Sequence, residues 1–184
     1  MKTNEQHGQF ISRAEVRFVR LVPGPIERVW DYLVDPEKRA RWFAGGPMEL
    51  RPGGQVTLII RHKNLGPDEV PPEEHKASHD SGRSMTGTVT RCEPPRLLAF
   101  TFSHYSESEA TFELTPQGKD VQLVLTHRGT GDDLSYMAGF GSGWHTHLAH
   151  LVALLEGAQR PPFWPMQMQL GAEYAQIFAS LPPR

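Results

Sequence analysis

The sequence has little of what marks secreted, membrane or nucleic-acid-binding proteins. Cys92 is the single cysteine, so no disulfide can form within the chain. No stretch approaches the roughly 18 consecutive apolar residues that indicate a membrane-spanning helix. The formal net charge of −2 gives no general attraction to nucleic acid or anionic lipid. Because segment 1–13 is polar and unlike a secretion signal, we expect a cytoplasmic protein that binds neither nucleic acid nor membranes.

The sequence also lacks the motifs of common nucleotide and hydrolase sites. It contains no P-loop and no Gly-x-Ser-x-Gly elbow. The glycines at 139, 141 and 143 do not follow a strand in a βαβ unit, which argues against a phosphate-binding loop. With 184 residues, 38% of them hydrophobic, the chain can form one core without disulfides or metals. We therefore expect no cofactor and no metal.

Alternating apolar and polar residues predict a mostly antiparallel sheet. Glu15–Val22 alternates and precedes Pro23-Gly24-Pro25, after which an apolar stripe from Ile26 to Leu33 predicts a short helix. Asp35 before Pro36 predicts the N-cap of a second short helix. Further strands are predicted at Met48–Arg51, Gln55–His62, Arg83–Cys92, Arg96–His104, Ser108–Thr115 and Asp120–Arg128.

A long amphipathic helix follows the strands. Trp144, Leu148, Leu151 and Leu155 fall at helical spacing, and Gly157 predicts its end. We expect three parts: a flexible lead-in at 1–13, a domain at 14–157, and a C-terminal extension at 158–184 packed on the domain. The extension, predicted helical over 163–179, is rich in aromatic residues that could instead join two copies in a homodimer.

The order of elements predicts an α+β fold. Because the first strand precedes the short helices, we expect it to pair with the final strand, so that the sheet curls around the long helix. Several segments, in this order and spacing, resemble the START-like (SRPBCC) superfamily, and within it the branch of the activator of the 90-kDa heat-shock protein ATPase. These segments are Pro25–Leu33, Asp35–Lys38 with Trp42, Pro52–Gly54, Glu93–Leu97, Leu125–His127 and Gly143-Trp144.

The resemblance implies a helix-grip (Bet v 1/START-like) fold of about seven strands, and it adds a chaperone as a candidate partner. It also implies an apolar cavity between sheet and long helix. We therefore expect the protein to bind a small apolar or amphipathic molecule there. The predicted ligand-binding residues are Trp42, Phe43, Leu58, Ile60, His62, Phe100, Phe102, His104, Phe112, Leu123, Leu125, His127, Phe140, Trp144, His147, Leu148 and Leu151.

Three histidines end apolar rows in phase, namely His62, His104 and His127. Alternate strands lie about 9.5 Å apart, too far for these imidazoles to share a metal unless the sheet curls strongly or His145 and His147 add ligands. Solvated histidines, or a polar rim that binds a ligand's head group, are favoured over a metal site. The acidic and histidine residues of the proline-rich loop 63–80, and the pair Asp132-Asp133, are interpreted as solvated charges and a helix cap.

Two other functions stay open. An enzyme of the polyketide-cyclase or hydratase type would use His104, His127 or His147 as acid or base. No carboxylate lies in phase on the apolar face, where it could orient such a histidine. We therefore prefer a binding function and leave open whether the protein is an enzyme. The third function, stimulation of a heat-shock ATPase in a stress response, rests on the resemblance alone.

Overall fold

A computed structural model describes residues 3–66, 68–102, 108–130 and 134–182. Within these residues there are seven strands and five α-helices. The strands are β1 (Gln9–Ser12), β2 (Glu15–Pro23), β3 (Gln55–Ile60), β4 (Arg83–Glu93), β5 (Leu97–Phe102), β6 (Ser108–Gln117) and β7 (Asp120–Gly129). The helices are α1 (Ile26–Val34), α2 (Pro36–Ala40), α3 (Lys76–Ser81), α4 (Met137–Glu156) and α5 (Phe163–Ala179).

The strands form one antiparallel sheet in the order β1-β2-β7-β6-β5-β4-β3. Strand β2 pairs with β7 along its whole length, from Glu15 opposite Arg128 to Pro23 opposite Asp120. This long-range pairing, with α1 and α2 inserted after β2, is the one predicted from the order of elements. The helix-grip α+β fold is thereby confirmed.

The apolar rows of the strands face inward as their alternation predicts. Phe112 lies opposite Leu98 on β5 and Leu125 on β7, and these three side chains are at most 2% exposed. Polar residues such as Thr111 and Thr126 occupy the alternate, outer positions. The concave surface is therefore the hydrophobic one, and α4 lies across it.

Helix α4 is buried on more sides than its amphipathic pattern predicts, because α5 covers its outer face. Near one end of the contact, a side chain at Gly141 would meet the Tyr174 ring at 2.5 Å. Near the other end the rings of His150 and Phe163 lie 5.6 Å apart. Sheet, α4 and α5 thus form three layers. Among the described helices, none has both the length and the apolar character needed to cross a bilayer.

The lead-in is more ordered than its sequence indicates. A 3₁₀ turn at Thr3–Glu5 is followed by β1, which pairs with β2. The Gly8 N–H donates to the Tyr174 hydroxyl at 2.6 Å, which ties this segment to α5. Tyr174 lies far away in sequence, and so the local pattern could not reveal this contact.

Two local predictions for the segment between β2 and β3 have different outcomes. The Asp35 side chain accepts hydrogen bonds from the backbone N–H groups of Glu37 and Lys38, which confirms it as the cap of α2. By contrast, the predicted strand Met48–Arg51 is reduced to an isolated bridge between Met48 and Val56. Its residues turn back instead, since the Gly53 N–H donates to the Val89 carbonyl on β4.

The long connection between β3 and β4 is folded. We call residues 61–82 the insert. It contains 3₁₀ turns at His62–Asn64 and Glu73–His75 and the short helix α3. Its Glu69 carboxylate accepts hydrogen bonds from the backbone N–H groups of Phe163 and Trp164, both at 2.7 Å. The insert therefore caps the N-terminus of α5 rather than extending into solvent.

Candidate functional site

The centre of the sheet–helix interface is filled by aromatic side chains. The Trp144 ring on α4 lies 4.8 Å from Phe43 and 5.7 Å from Phe112, centroid to centroid. Trp42 in turn contacts Phe112 at 6.3 Å. Ring pairs at these distances leave little room for a bound molecule, so the middle of the sheet–helix interface is part of the hydrophobic core.

A cavity of about 350 Å³ lies at one end of this interface. Its lining residues come from the β3–β4 hairpin, the insert, and the start of α4 with the residue before it. They are Ile60, His62, His75, Arg83, Met85, Tyr136, Gly139 and Phe140. An apolar space of this size with a few polar groups is typical of a small-molecule site.

A second cavity, of about 420 Å³, lies between the N-terminal turn and the C-terminal half of α4. Its walls combine polar residues such as Asn4 and Glu156 with the aliphatic residues Leu21 and Val152 and several alanines, and it contains none of the predicted site residues. The smaller cavity has aromatic and cationic side chains converging on it, which makes it the candidate site.

Strand register positions the first wall of the candidate site. Leu58 pairs with Met85 and Ile60 with Arg83. Arg83 and Met85 are two residues apart on β4, so their side chains share a face, and Met85 packs in the core. The inner face of this hairpin therefore changes from apolar to cationic as it reaches the rim.

The start of α4 supplies the opposite wall. Phe140 and Gly139 line the cavity, and Tyr136 contacts Phe140 from one turn earlier with ring centroids 5.6 Å apart. A Cβ built at Gly139 meets no atom within 4 Å. Glycine at this position therefore leaves open the space that a larger side chain would fill.

The insert supplies the third wall through His62 and His75. The His75 ring stacks on Trp164 with centroids 5.0 Å apart, and His62 lies 5.0 Å from the same ring. The Trp164 indole N–H also points to His79 Nδ1 at 3.4 Å. Trp164 on α5 thus organises the histidines of the insert, and Glu69 fixes the backbone beside it.

His127 lies behind Phe140. Its ring is fully buried and stacks on Phe140 with centroids 3.8 Å apart. The Trp144 indole N–H donates to His127 Nδ1 at 3.1 Å, so the neutral ring carries its proton on Nε2, which has no hydrogen-bond partner among the described residues. Burial lowers the pKa of His127 to about 3, and the ring is neutral at physiological pH.

The other inner histidines are neutral for similar reasons. His147 Nδ1 donates to the Trp42 carbonyl at 2.8 Å, and burial lowers its pKa to about 4. Burial, and then the charges of neighbouring histidines and Arg83, lower the pKa of His62 to about 3. Such rings supply hydrogen bonds and apolar surface, and they are poorly suited to exchange protons near pH 7.

The predicted ligand-binding residues divide into three groups. Ile60, His62 and Phe140 line the cavity. His104 lies outside the described residues, as do Asp132 and Asp133. The rest are buried in the core cluster or beside it, and they are Trp42, Phe43, Leu58, Phe100, Phe102, Phe112, Leu123, Leu125, His127, Trp144, His147, Leu148 and Leu151.

The residues considered as possible metal ligands interact with other groups. Within the described ranges, no group of three or more His, Cys, Asp or Glu side chains could hold an ion. Asp80 pairs with Lys63 at 2.7 Å and Glu73 pairs with Lys76. His145 Nδ1 lies 3.1 Å from the Tyr174 hydroxyl, away from His62. These side chains therefore interact with groups other than a shared metal ion.

Sequence reasoning missed five lining residues, which are His75, Arg83, Met85, Tyr136 and Gly139. Two signals could have found some of them. Tyr136 precedes Phe140 by four residues, the spacing of one helix face, and Met85 is in phase with Val89 on a predicted strand. His75 had no such signal, because its place depends on Trp164.

Comparisons with known proteins agree with this fold. Residues 23–156 match the family model of the activator of Hsp90 ATPase homolog 1-like protein (AHSA1). No curated protein matches the chain. The solution structure of the protein encoded by gene BPP1335 of Bordetella parapertussis is 42% identical, covers 92% of this chain and 89% of its own, and superposes with a TM-score of 0.78.

Two more distant structures share the fold alone. The crystal structure of CalU16 from Micromonospora echinospora is 24% identical over 90% of this chain and 89% of its own, with a TM-score of 0.66. The protein EF2215 from Enterococcus faecalis is 17% identical over 96% of this chain and 91% of its own, with a TM-score of 0.70. With the family model matching most of its length, the chain belongs to the activator of Hsp90 ATPase homolog 1-like family.

Proposed function

We propose that the protein binds a small apolar or amphipathic molecule in the cavity at the rim of the sheet–helix interface. The observation that carries this proposal is the lining: Ile60, Met85 and Phe140 provide apolar surface, while His62 and Arg83 provide polar groups beside it. A cavity of about 350 Å³ can hold about a dozen non-hydrogen atoms at about 30 Å³ each. The guest is therefore small.

The enzyme alternative finds less support. Neither His127 nor His147 lines the cavity. His127 Nδ1 accepts a hydrogen bond from the Trp144 indole N–H, and His147 Nδ1 donates one to the Trp42 carbonyl. Stimulation of a heat-shock ATPase stays a prediction that rests on the family's name. Co-purification with the chaperone, followed by an ATPase assay, would test it separately.

A matched pair of glycine variants tests the binding proposal. Gly139 and Gly143 both lie on α4, and a Cβ at either position meets no atom within 4 Å, but only Gly139 lines the cavity. Leucine is a better helix former than glycine by roughly 0.5–1 kcal/mol, so neither variant should be destabilised by its backbone. Gly139→Leu should fill the cavity, and Gly143→Leu should leave it open.

The measurement is native mass spectrometry of each protein purified from its own host, with melting temperatures taken in the presence of 1-decanol and of decanoate. We expect a bound small molecule, and stabilisation by at least one of the two compounds, in the wild type and Gly143→Leu. Gly139→Leu should show neither. A wild type that carries no adduct and that neither compound stabilises would refute the proposal.

A further inference from the structure

We infer that the molecule bound in this cavity carries an uncharged carbonyl oxygen, as a ketone or ester does, and that this oxygen accepts the Nε2–H of His127 once the Phe140 ring has moved aside. The inference rests on the proposed binding function. It adds the group by which the ligand is recognised and a side chain that controls access to His127.

The Nε2–H of His127 is a buried donor without an acceptor. The side chain is fully buried, and Nε2 has no hydrogen-bond partner in the part of the chain that the structure describes. Because an indole N–H can only donate, the bond from Trp144 makes Nδ1 the acceptor and leaves the ring proton on Nε2. A buried donor left unpaired costs about 1–3 kcal/mol. An acceptor on a ligand would recover that cost.

Phe140 separates this donor from the cavity. Its ring is half-buried and lines the cavity, and it also stacks on the His127 ring with centroids 3.8 Å apart. It contacts Phe102 edge to face at 5.6 Å. Phe140 therefore touches the cavity and His127 at once. Rotation of this one side chain would join the cavity to the buried donor.

Space for that rotation lies beside Phe140. A Cβ at Gly139 meets no atom within 4 Å, and this glycine lines the same cavity. Gly143, one helical turn after Phe140, is equally open. By contrast, a Cβ at Gly141 would meet the Tyr174 ring at 2.5 Å, so the backbone of α4 packs closely against α5 here. The movement is therefore one of the Phe140 side chain and not of the helix.

The surroundings of His127 favour an uncharged acceptor. Rings of Phe102, Phe140 and Trp144 lie 3.8–6.1 Å from the imidazole, centroid to centroid. Burial lowers the pKa of His127 to about 3, so the ring offers one hydrogen bond and no charge. An ionised carboxylate would lose its hydration in this apolar setting and gain a single donor. A carbonyl oxygen needs no more than one.

The test uses two probes of closely similar shape, acetophenone and α-methylstyrene. They have the same number of non-hydrogen atoms, and they differ in that a carbonyl oxygen replaces a methylene group. Binding of each to the purified full chain is measured by calorimetry. Because α-methylstyrene is the more hydrophobic probe, the informative quantity is the ratio of the two association constants, compared between proteins.

A matched pair of variants isolates the donor. His127→Asn keeps an acceptor near Nδ1 for the Trp144 indole and removes the Nε2 donor. It should lower the ratio of acetophenone to α-methylstyrene affinity about fivefold, because a hydrogen bond contributes about 1 kcal/mol. His127→Gln places an amide nitrogen near the position of Nε2, so it should keep most of the wild-type ratio. Circular dichroism checks that both variants are folded.

Two further measurements do not depend on these variants. In wild-type protein labelled with ¹⁵N-histidine, acetophenone should shift the Nε2 resonance of His127 more than α-methylstyrene does. Phe140→Ala removes the ring that covers His127, so acetophenone should associate faster than with the wild type, as followed by stopped-flow tryptophan fluorescence.

The outcomes separate this inference from the binding function. An unchanged affinity ratio in His127→Asn, or equal Nε2 shifts with the two probes, would overturn the carbonyl acceptor. An unchanged association rate in Phe140→Ala would overturn the role of Phe140. In each case the probes still bind and the binding function stands. If neither probe binds the wild type, the inference is overturned, and the experiments with 1-decanol, decanoate and the glycine variants decide the binding function separately.

Discussion

Mild acid should destabilise this protein because four buried histidines and one half-buried histidine are neutral in the folded state. They are His62, His127, His145, His147 and His150, and burial is the largest cause that lowers the pKa of each, to about 3 for the first two and about 4 for the others. In the unfolded chain a histidine has a pKa of about 6.5. Between these values the unfolded state binds more protons than the folded state does.

The sign and size of the effect follow from that difference. Stability is greatest above about pH 6.5 and falls as the pH drops towards the folded-state pKa values. For one histidine the loss between pH 7.5 and 5 is about 2 kcal/mol. Because the five groups share this sign, their combined loss is on the order of several kcal/mol, a large part of the stability of a typical domain. We therefore expect cooperative unfolding well above the pH at which carboxylates titrate.

Urea denaturation followed by circular dichroism, at pH steps between 7.5 and 5, measures this loss. His127→Asn is the control variant, because its amide oxygen can accept the Trp144 indole N–H and its side chain does not titrate. The slope of stability against pH should be smaller in this variant by up to about 1.4 kcal/mol per pH unit, the contribution of one proton. A wild-type unfolding free energy that changes by less than about 1 kcal/mol over this range would refute the reasoning.

Two further substitutions test the packing around the site. Glu69→Ala removes the acceptor for two backbone N–H groups at the start of α5 and should cost about 1–2 kcal/mol, measured by urea denaturation; an unchanged midpoint would show that solvent caps the helix equally well. Gly87→Ala places a Cβ 1.9 Å from the Thr101 carbonyl oxygen, so it should cost more than about 2 kcal/mol or prevent folding. If Gly87→Ala were as thermally stable as the wild type, β4 and β5 would have to move apart at this position without a loss of stability.

The sheet was predictable because a period of two along a strand places successive side chains on opposite faces of the sheet. The alternation of Leu98, Phe100 and Phe102 decides which face is apolar, and the pairing of β2 with β7 follows from the order of elements. The position of the cavity was not predictable in this way. Alternation assigns a side chain to a face but does not show whether large rings such as Phe43 and Trp144 fill the space in front of it.

The insert shows a second limit of local patterns. Its prolines and charges indicate a solvated loop, yet His75 stacks on Trp164, which lies 89 residues later in the chain. Likewise the residue before β1, Gly8, donates a hydrogen bond to the Tyr174 hydroxyl. Contacts of this kind depend on tertiary structure that single-sequence periodicity does not encode. Most of the missed site residues belong to such contacts or to the rim they create.

The burial of α4 beneath α5 has a consequence for synthesis on the ribosome. Apart from its histidines, the only acidic or basic residue of α4 is Glu156. The outer face of α4 carries His145, Thr146 and His150, which are at most 4% exposed beneath α5. At about 5–20 residues per second, translation from Glu156 to Ala179 takes about 1–5 s. Until α5 has been made and has packed, the nascent chain lacks the cover of this weakly charged helix face, which favours aggregation.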